Sequence, residues 1–495
     1  MPLDPYFPLA PAGVFLAGGI FLLLVPQVLA TRLVSGLTAG LVFAGAAWTI
    51  AFFFVHNDER PAEYFITDRW MVATNIFIVL VGLPLIAMAL GASISDAAGL
   101  AARVLIALAG TSALSTADHW AVAGCAACLA IGPLVTIPGQ TGKNDPTRLA
   151  LWFTLAIGLL GLGIAAVWSA SGSGAMQSVR SAALAAQTDA VPVLYRVGAT
   201  LIVCAFAALM AAAPLHSWAA ETYEKSGTHG TVLIATITLV VGFVGLVRLV
   251  VLPFAGTRPG FGLALPASSV FWILAVVSST LGSILAVGET GWRRASAFLI
   301  TAQVGHVLGG LAIGALAVSD VTKPVISGWT VAVAQFAAMA VAVIGMKASI
   351  AWIEASRQGV QRVDDLAGAG HAHRPAAACL VVCLAGLIGL PPTAPFWGKV
   401  TLLLCAMTNV VTPTLAISVA VVTIGSIAIQ AAVLVRVWFI LHQPVPPPAA
   451  PKVDSVRSDW RLAAVVAGGV AVTLIIFGLW PGPMLDYFGA VTGLP

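Results

Sequence analysis

The residues best placed to do chemistry surround one lysine. In Gly389-Leu-Pro-Pro-Thr-Ala-Pro-Phe-Trp-Gly398-Lys399 a cation and a helix break fall inside the apolar run 376–405. A charge within a membrane span costs at least ~2.5–3.5 kcal/mol on insertion scales, which makes it a functional candidate by default. The Pro-Pro pair frees backbone carbonyls that only a protein-lined or water-lined environment can satisfy. A lysine at such a break can bind and release a proton. Two further stretches repeat the theme: Pro214-Leu-His216-Ser-Trp218 followed by Glu221-Thr-Tyr223-Glu224-Lys225, and Trp292-Arg293-Arg294-Ala-Ser-Ala297-Phe298. Proline ends a helix in the first of them, and its His, Trp and Tyr suit a membrane boundary.

The elements that must hold these residues are membrane helices. The chain is 60% hydrophobic and 8% charged, with a mean hydropathy of +1.01. Apolar runs of about 20 residues, the length that crosses a bilayer, recur throughout. The expected fold is all-α and polytopic, with about fourteen spans: 11–30, 33–55, 70–92, 100–117, 119–138, 147–170, 194–213, 230–254, 267–288, 294–318, 325–352, 376–405, 412–441 and 462–480. The polar stretches 172–189, 355–374 and 443–461 are too short to enclose a core, so 1–495 reads as one membrane domain. The first apolar run follows Asp4 and shows no small-residue cleavage site, so it is expected to be retained. The loops with Arg293, Arg294, Arg357, Arg362, Arg374, Lys452, Arg457 and Arg461 fall on one side, which predicts a cytoplasmic location for them and both termini outside. The net charge of +4 follows from that asymmetry and implies no nucleic-acid partner. Gln443-Pro-Val-Pro-Pro-Pro-Ala-Ala-Pro451 reads as a stiff, extended connector before the last span.

Other polar residues carry less. Cys125, Cys128, Cys204, Cys379, Cys383 and Cys405 all lie in apolar runs. Cys125-x-x-Cys128 has metal or redox spacing but lacks a second pair, so it reads as small-residue packing and predicts no metal site. Asp118-His119 supplies too few ligands for a metal, and His371-Ala-His373 reads as a solvated pair.

The three motifs, in this order and spacing, resemble the antiporter-like membrane subunits of respiratory complex I, the proton-pumping NADH:quinone oxidoreductase, and most of all its N subunit (NuoN type). The family's Pro-Phe-His-x-Trp…Tyr-Glu-Gly is similar to residues 214–225, its Lys-Arg-x-x-Ala-Tyr to 293–298, and its Gly-Ile-Pro-Pro-x-x-Gly-Phe-x-Gly-Lys to 389–399. Phe65-Ile-Thr-Asp68 before the third span also fits the N type. The resemblance implies three N-terminal helices (1–99), two inverted five-helix repeats (100–254 and 267–441) with spans seven and twelve broken, and a linker with a last helix (442–495). It implies no cofactor on this chain. FMN, Fe–S clusters and quinone would belong to partner subunits of a complex embedded in a bacterial-type inner membrane, and protons would be the transported species.

Several charge-carrying positions of the family are replaced. Its span-five glutamate aligns with Cys128, its span-seven lysine with Leu209, its span-eight lysine with Val240, and a span-ten polar site, often His, with Gln303. Lys399 alone matches a relay lysine. Leucine and valine cannot carry a proton, so a continuous relay through the first repeat is expected to be broken. The remaining candidates for a proton path are Lys399, His306, Gln303, Lys347 and His216. His306, three residues from Gln303, shares its helix face and either packs as a hydrogen-bonded histidine or replaces the family's histidine. Lys347 lies near the cytoplasmic end of its span and is expected to snorkel. Three readings follow: a complex-I-like subunit with a degenerate first-repeat path, an antiporter-like subunit of a cation/proton or inorganic-carbon uptake complex, and a non-conducting structural subunit.

Overall fold

The computed structural model describes residues 6–25, 31–56, 60–61, 64–92, 94–137, 146–178, 193–254, 264–316, 328–356, 360–408, 413–444 and 460–492. Most of the proline-rich connector 443–451 lies outside them. The described chain is a helical bundle: α1 (Ala10–Leu24), α2 (Arg32–His56), α3 (Arg69–Gly91), α4 (Ile94–Thr116), α5 (Trp120–Val135), α6 (Thr147–Ser171), α7 (Val193–Leu209), α8 (Ser217–Lys225), α9 (Thr228–Leu246), α10 (Ala264–Gly288), α11 (Trp292–Leu316), α12 (Gly328–Ser356), α13 (Arg374–Ile388), α14 (Ala394–Thr408), α15 (Pro413–His442), α16 (Trp460–Leu479) and α17 (Gly482–Thr492). Eleven helices among the described residues are long and apolar enough to cross a membrane, and 120–135, 193–209, 374–388 and 394–408 are shorter apolar helices.

Side-chain pattern decides depth. Helices α9 and α11 are buried along their spans, and α12 nearly so, which makes them the centre of the bundle. Val232, Leu233, Ile234, Val241 and Phe243, with the small hydroxyls of Thr231, Thr236 and Thr238, are all buried, so α9 is enclosed by other helices on every face. By contrast, α2, α6 and α15 turn Leu41, Trp48, Leu151, Leu162, Val421 and Phe439 outward as a lipid-facing surface. Helices α10 and α11 cross closely because small residues meet there: a Cβ on Gly282 would lie 2.5 Å from the Ala302 nitrogen, and one on Gly305 2.8 Å from the Ala275 oxygen.

Two apolar runs are interrupted. The seventh run ends as helix at Leu209 rather than at 213, because Ala211 takes a left-handed conformation (φ 57°) and Pro214 has no N–H to continue the ladder. The twelfth divides into α13 and α14, with Gly389 (φ 79°) at the turn. Only glycine adopts that backbone without strain, and its N–H closes back on the Ala385 oxygen at 2.9 Å.

Side chains in and around the breaks pair with backbone groups there, and each break is tied to a neighbouring helix. At the first break Ser278 Oγ accepts from Ala213 N (2.9 Å), Thr301 Oγ1 donates to Ala211 O (3.0 Å), and Trp218 Nε1 donates to Ala208 O (2.8 Å). At the second, Thr393 Oγ1 donates to Leu390 O (2.6 Å) and Trp397 Nε1 to Gly478 O of α16 (2.7 Å). Both breaks are thus built into protein, as interrupted helices at membrane depth must be.

Candidate functional site

Lys399 occupies the second turn of α14 and is 2% exposed. Its ammonium donates to the carbonyl of Ile388, the last residue of α13. A helix C-terminus carries partial negative charge and unpaired carbonyls, so the break supplies the lysine with its electrostatic partner. Gly389 and Gly398 make room: a Cβ on the first would run into the Lys399 side chain, and one on the second into the Gln335 amide oxygen. Both polar atoms of the Gln335 amide are buried without a hydrogen-bond partner.

A chain of neutral side chains leads away from this point. His306 lies within electrostatic reach of Lys399. Its Nδ1 is 3.1 Å from Gln303 Oε1, and Nε2 is buried without a hydrogen-bond partner. Gln303 Nε2 donates to Gln430 Oε1 of α15 (2.5 Å), and Gln430 Nε2 donates to Ser283 (3.0 Å) and Ser426 (2.7 Å). Ser283 and Ser426 are themselves 2.7 Å apart. His306, Gln303, Gln430, Ser283 and Ser426 are each at most 3% exposed, so the chain runs through the interior of α10, α11 and α15. Hydroxyl, amide and imidazole groups so linked are ordered, and they stabilise one another in a low-dielectric interior.

The third group sits at the other end of α11. Lys347 does not snorkel: it is 2% exposed, donates to Ser296 Oγ (2.5 Å) and lies 4.6 Å from the centre of the Tyr223 ring. The expectation failed because α12 is enclosed at this level by α8 and α11, which separates the ammonium from the interface. Nearby, Arg293 Nη2 meets Glu354 Oε1 at 3.2 Å and Thr228 Oγ1 at 3.0 Å, while Thr228 also donates to Glu354 Oε2. His216 packs on Phe298 (ring centres 5.9 Å apart), with its Nδ1 buried and unpartnered. Lys347, His216, Gln303, His306 and Lys399 thus all approach α11, between Ser296 and His306.

The three positions expected to be replaced relay sites divide. Leu209 and Val240 are buried, 2% exposed each, so each is an apolar side chain in the interior. Cys128 is exposed on the outer surface of α5, as is Cys125. The pair does not pack into the interior, contrary to the reading of it as small-residue packing. Asp118 is drawn toward Arg248, which donates to Asp68 (2.5 Å) and to Ala117 O (2.7 Å). Burial, partly offset by Arg248 and reinforced by Asp68, pushes the Asp118 carboxyl up to about 6. His119 caps α5 and packs against Tyr64 and Trp168. Among the described residues no group of three or more His, Cys, Asp or Glu side chains could hold a metal.

Sequence reasoning missed Gln430, Ser283, Ser426 and Glu354. A glutamine in the middle of a 30-residue apolar helix was a usable signal. The serines carried none.

Residues 142–425, more than half of the chain, match the family model described as "NADH:quinone oxidoreductase/Mrp antiporter, TM". The chain is similar to NADH-quinone oxidoreductase subunit N 1 of Sorangium cellulosum, 26% identical over 66% of this chain and 62% of that protein. It is also similar to F(420)H(2) dehydrogenase subunit N of Methanosarcina mazei, 27% identical over 59% and 55%. The match therefore spans about 55–62% of the length of these two relatives. The fold is that of a chain in the Mrp complex from Dietzia sp. (TM-score 0.78, 17% identity, 99% of this chain and 97% of that one) and of a chain in respiratory complex I from Thermus thermophilus (TM-score 0.72, 18% identity, 96% and 98%). The broken helices, the buried lysine and the family match agree: this chain is a multi-pass membrane protein that belongs to the NADH:quinone oxidoreductase/Mrp antiporter transmembrane family.

Proposed function

We propose that this chain is an N-type membrane-arm subunit of a complex-I-like quinone reductase and takes part in proton translocation through its second half. Spans four to eight and nine to thirteen then form two inverted repeats, α4–α9 and α10–α15, of which the second carries the path. The observation that supports this most is the buried run from His306 through Gln303 to Gln430, with Lys399 within electrostatic reach of His306 and held by a carbonyl at the helix break. Ionisable groups at interrupted helices near the middle of a membrane mark ion paths. Lys347 and His216 extend the set along α11. Leu209 and Val240 close the equivalent route in the first half.

Redox groups would reside on partner subunits, and the energy for translocation would come from quinone reduction there. The subunit-N names of both relatives favour this reading over the Mrp-type one, for which the Dietzia chain offers likeness of fold. The protein would lie in a bacterial-type inner membrane with its termini outside. Mild-detergent purification tests the assignment: flavin and Fe–S subunits should copurify with quinone reductase activity. A complex free of redox centres would overturn it.

A further inference from the structure

Glu354 belongs to no motif, yet it is built into the bundle. It lies two turns beyond Lys347 on the same face of α12, about 10 Å along the axis. Its side chain is 17% exposed, so water reaches it, whereas Lys347 lies deeper. Each carboxylate oxygen has one partner, Arg293 for one and Thr228 for the other. Arg293 holds Glu354 and Thr228 through the single nitrogen Nη2, and its Nε is buried without a partner. This is not the two-pronged grip of a structural arginine–carboxylate pair.

The surrounding charges narrow what the group can do. From α11 come Arg293 and the Ser296 hydroxyl, from α8 Tyr223, from α9 Thr228, and from α12 Lys347. Arg294 is engaged elsewhere, by Glu289 at 3.0 Å and Glu224 at 3.2 Å. His229 is turned to the Met88 carbonyl at 2.8 Å. Two cations thus face one carboxylate, and an arginine does not give up its proton. Exchange in this cluster therefore rests with Glu354 and Lys347.

We propose that Glu354 is a proton-exchange site that loads Lys347 from the Arg293 end of the bundle, with Arg293 holding the carboxylate between transfers. The inference rests on the reading of the chain as a proton-conducting subunit. Glu354 takes a proton from water. The proton then passes through water bridging the gap of about 10 Å between the two residues: the Glu354 O–H breaks, an N–H forms on the Lys347 amine, a carboxylate and an ammonium are left, and Lys347 gives a proton onward along α11. No electrons move. The site supplies a titratable pair to a chain whose Leu209 and Val240 supply none.

The test uses the intact assembly in inverted membrane vesicles, with proton uptake followed by fluorescence quenching per quinone reduced. Glu354→Gln should lower uptake about tenfold or more, Lys347→Met should do the same, and the double variant should lose no more than either, as groups acting as a unit do. Arg148→Gln, at an ion pair on the surface, should leave uptake unchanged. Wild-type uptake in Glu354→Gln, or losses that multiply in the double variant, overturns the proposal. Should Glu354→Gln fail to assemble, Glu354→Asp must shift the midpoint of the pH profile, and an unmoved midpoint is equally fatal. Lys399→Met separates the two readings: if it abolishes uptake while Glu354→Gln does not, only the role of Glu354 falls.

Discussion

Replacing Lys399 distinguishes a proton carrier from an electrostatic anchor. Lys399→Met keeps the apolar stem and removes the ammonium that binds the Ile388 carbonyl. Two terms of similar size then oppose each other. Removing a buried charge relieves roughly 2.5–3.5 kcal/mol on insertion scales, and leaving a buried carbonyl unpaired costs about 1–3 kcal/mol. The variant should assemble, with stability within about 2 kcal/mol of the parent. Lys399→Arg restores a cation beside the carbonyl but cannot release its proton. If Lys399 exchanges protons, both variants lose uptake about tenfold or more per quinone reduced, equivalent to ~1.4 kcal/mol or more on the rate-limiting step. If it only anchors α13 to α14, Lys399→Arg pumps normally. Uptake in Lys399→Met within about twofold of the parent would refute any role in conduction; that threshold corresponds to about 0.4 kcal/mol.

Three other outcomes follow from the geometry. Gln430→Leu removes the link between Gln303 and the Ser283–Ser426 pair, so it should reduce proton uptake severalfold and leave assembly intact, as blue native electrophoresis would show. Ser278→Ala strips the Ala213 N–H of its partner at the first helix break and should lower stability by about 1–3 kcal/mol, read as a fall in thermal midpoint in detergent. Asp118 lies in the link between α4 and α5, and its carboxyl is raised to about 6 by burial in spite of Arg248. The native state binds this proton more tightly than the unfolded chain, so the group lowers stability as pH rises from about 4 to about 6 and changes nothing above that. The thermal midpoint of Asp118→Asn minus that of the parent should therefore climb over that interval and then level; a flat difference would refute it. The Arg248–Asp68 pair stays in both proteins.

Much of the fold was readable because hydrophobic length is a strong signal: the runs expected at 147–170 and 462–480 form α6 (Thr147–Ser171) and α16 (Trp460–Leu479). Both interruptions were readable from proline, since a missing N–H has the same consequence wherever it falls. Lys399 was readable because a charge within an apolar run stands out. Depth and direction were not. Lys347 differs from a snorkelling lysine only in what encloses it, and that depends on α8 and α11, which lie far from it in the chain. Cys128 faces outward because of the rotation of α5 about its own axis, and a helix of mean apolar character gives little clue to that angle. The glutamine pair was hidden for a related reason: Gln303 and Gln430 are 127 positions apart, and each alone is one neutral polar residue in an apolar helix.

On the proposed reading the two halves of the chain take different physical roles, and α9 is where they would part. This helix is buried along its whole length and is tied by polar contacts at both ends. Thr228 binds Glu354 and Arg293 at one end, and Arg248, in the π-helical turns Val247–Val251, binds Asp68 and the Ala117 carbonyl at the other. Between these ties stands Val240, with Leu209 buried on the neighbouring α7. A proton cannot step on either side chain, and the polar groups that α9 does bury, the hydroxyls of Thr231, Thr236 and Thr238, do not ionise near neutral pH. What remains is a stiff strut held at both ends, against which α12 packs. On the far side of that strut Lys347, Gln303, His306 and Lys399 are the buried polar side chains gathered near α11. A chain that conducted through both halves would need a titratable group at 209 or 240. Introducing one, as in Val240→Lys, would place an unpaired cation in a buried helix whose polar side chains at this depth are only threonine hydroxyls, and should destabilise the fold by about 3 kcal/mol or more unless a carboxylate is supplied with it.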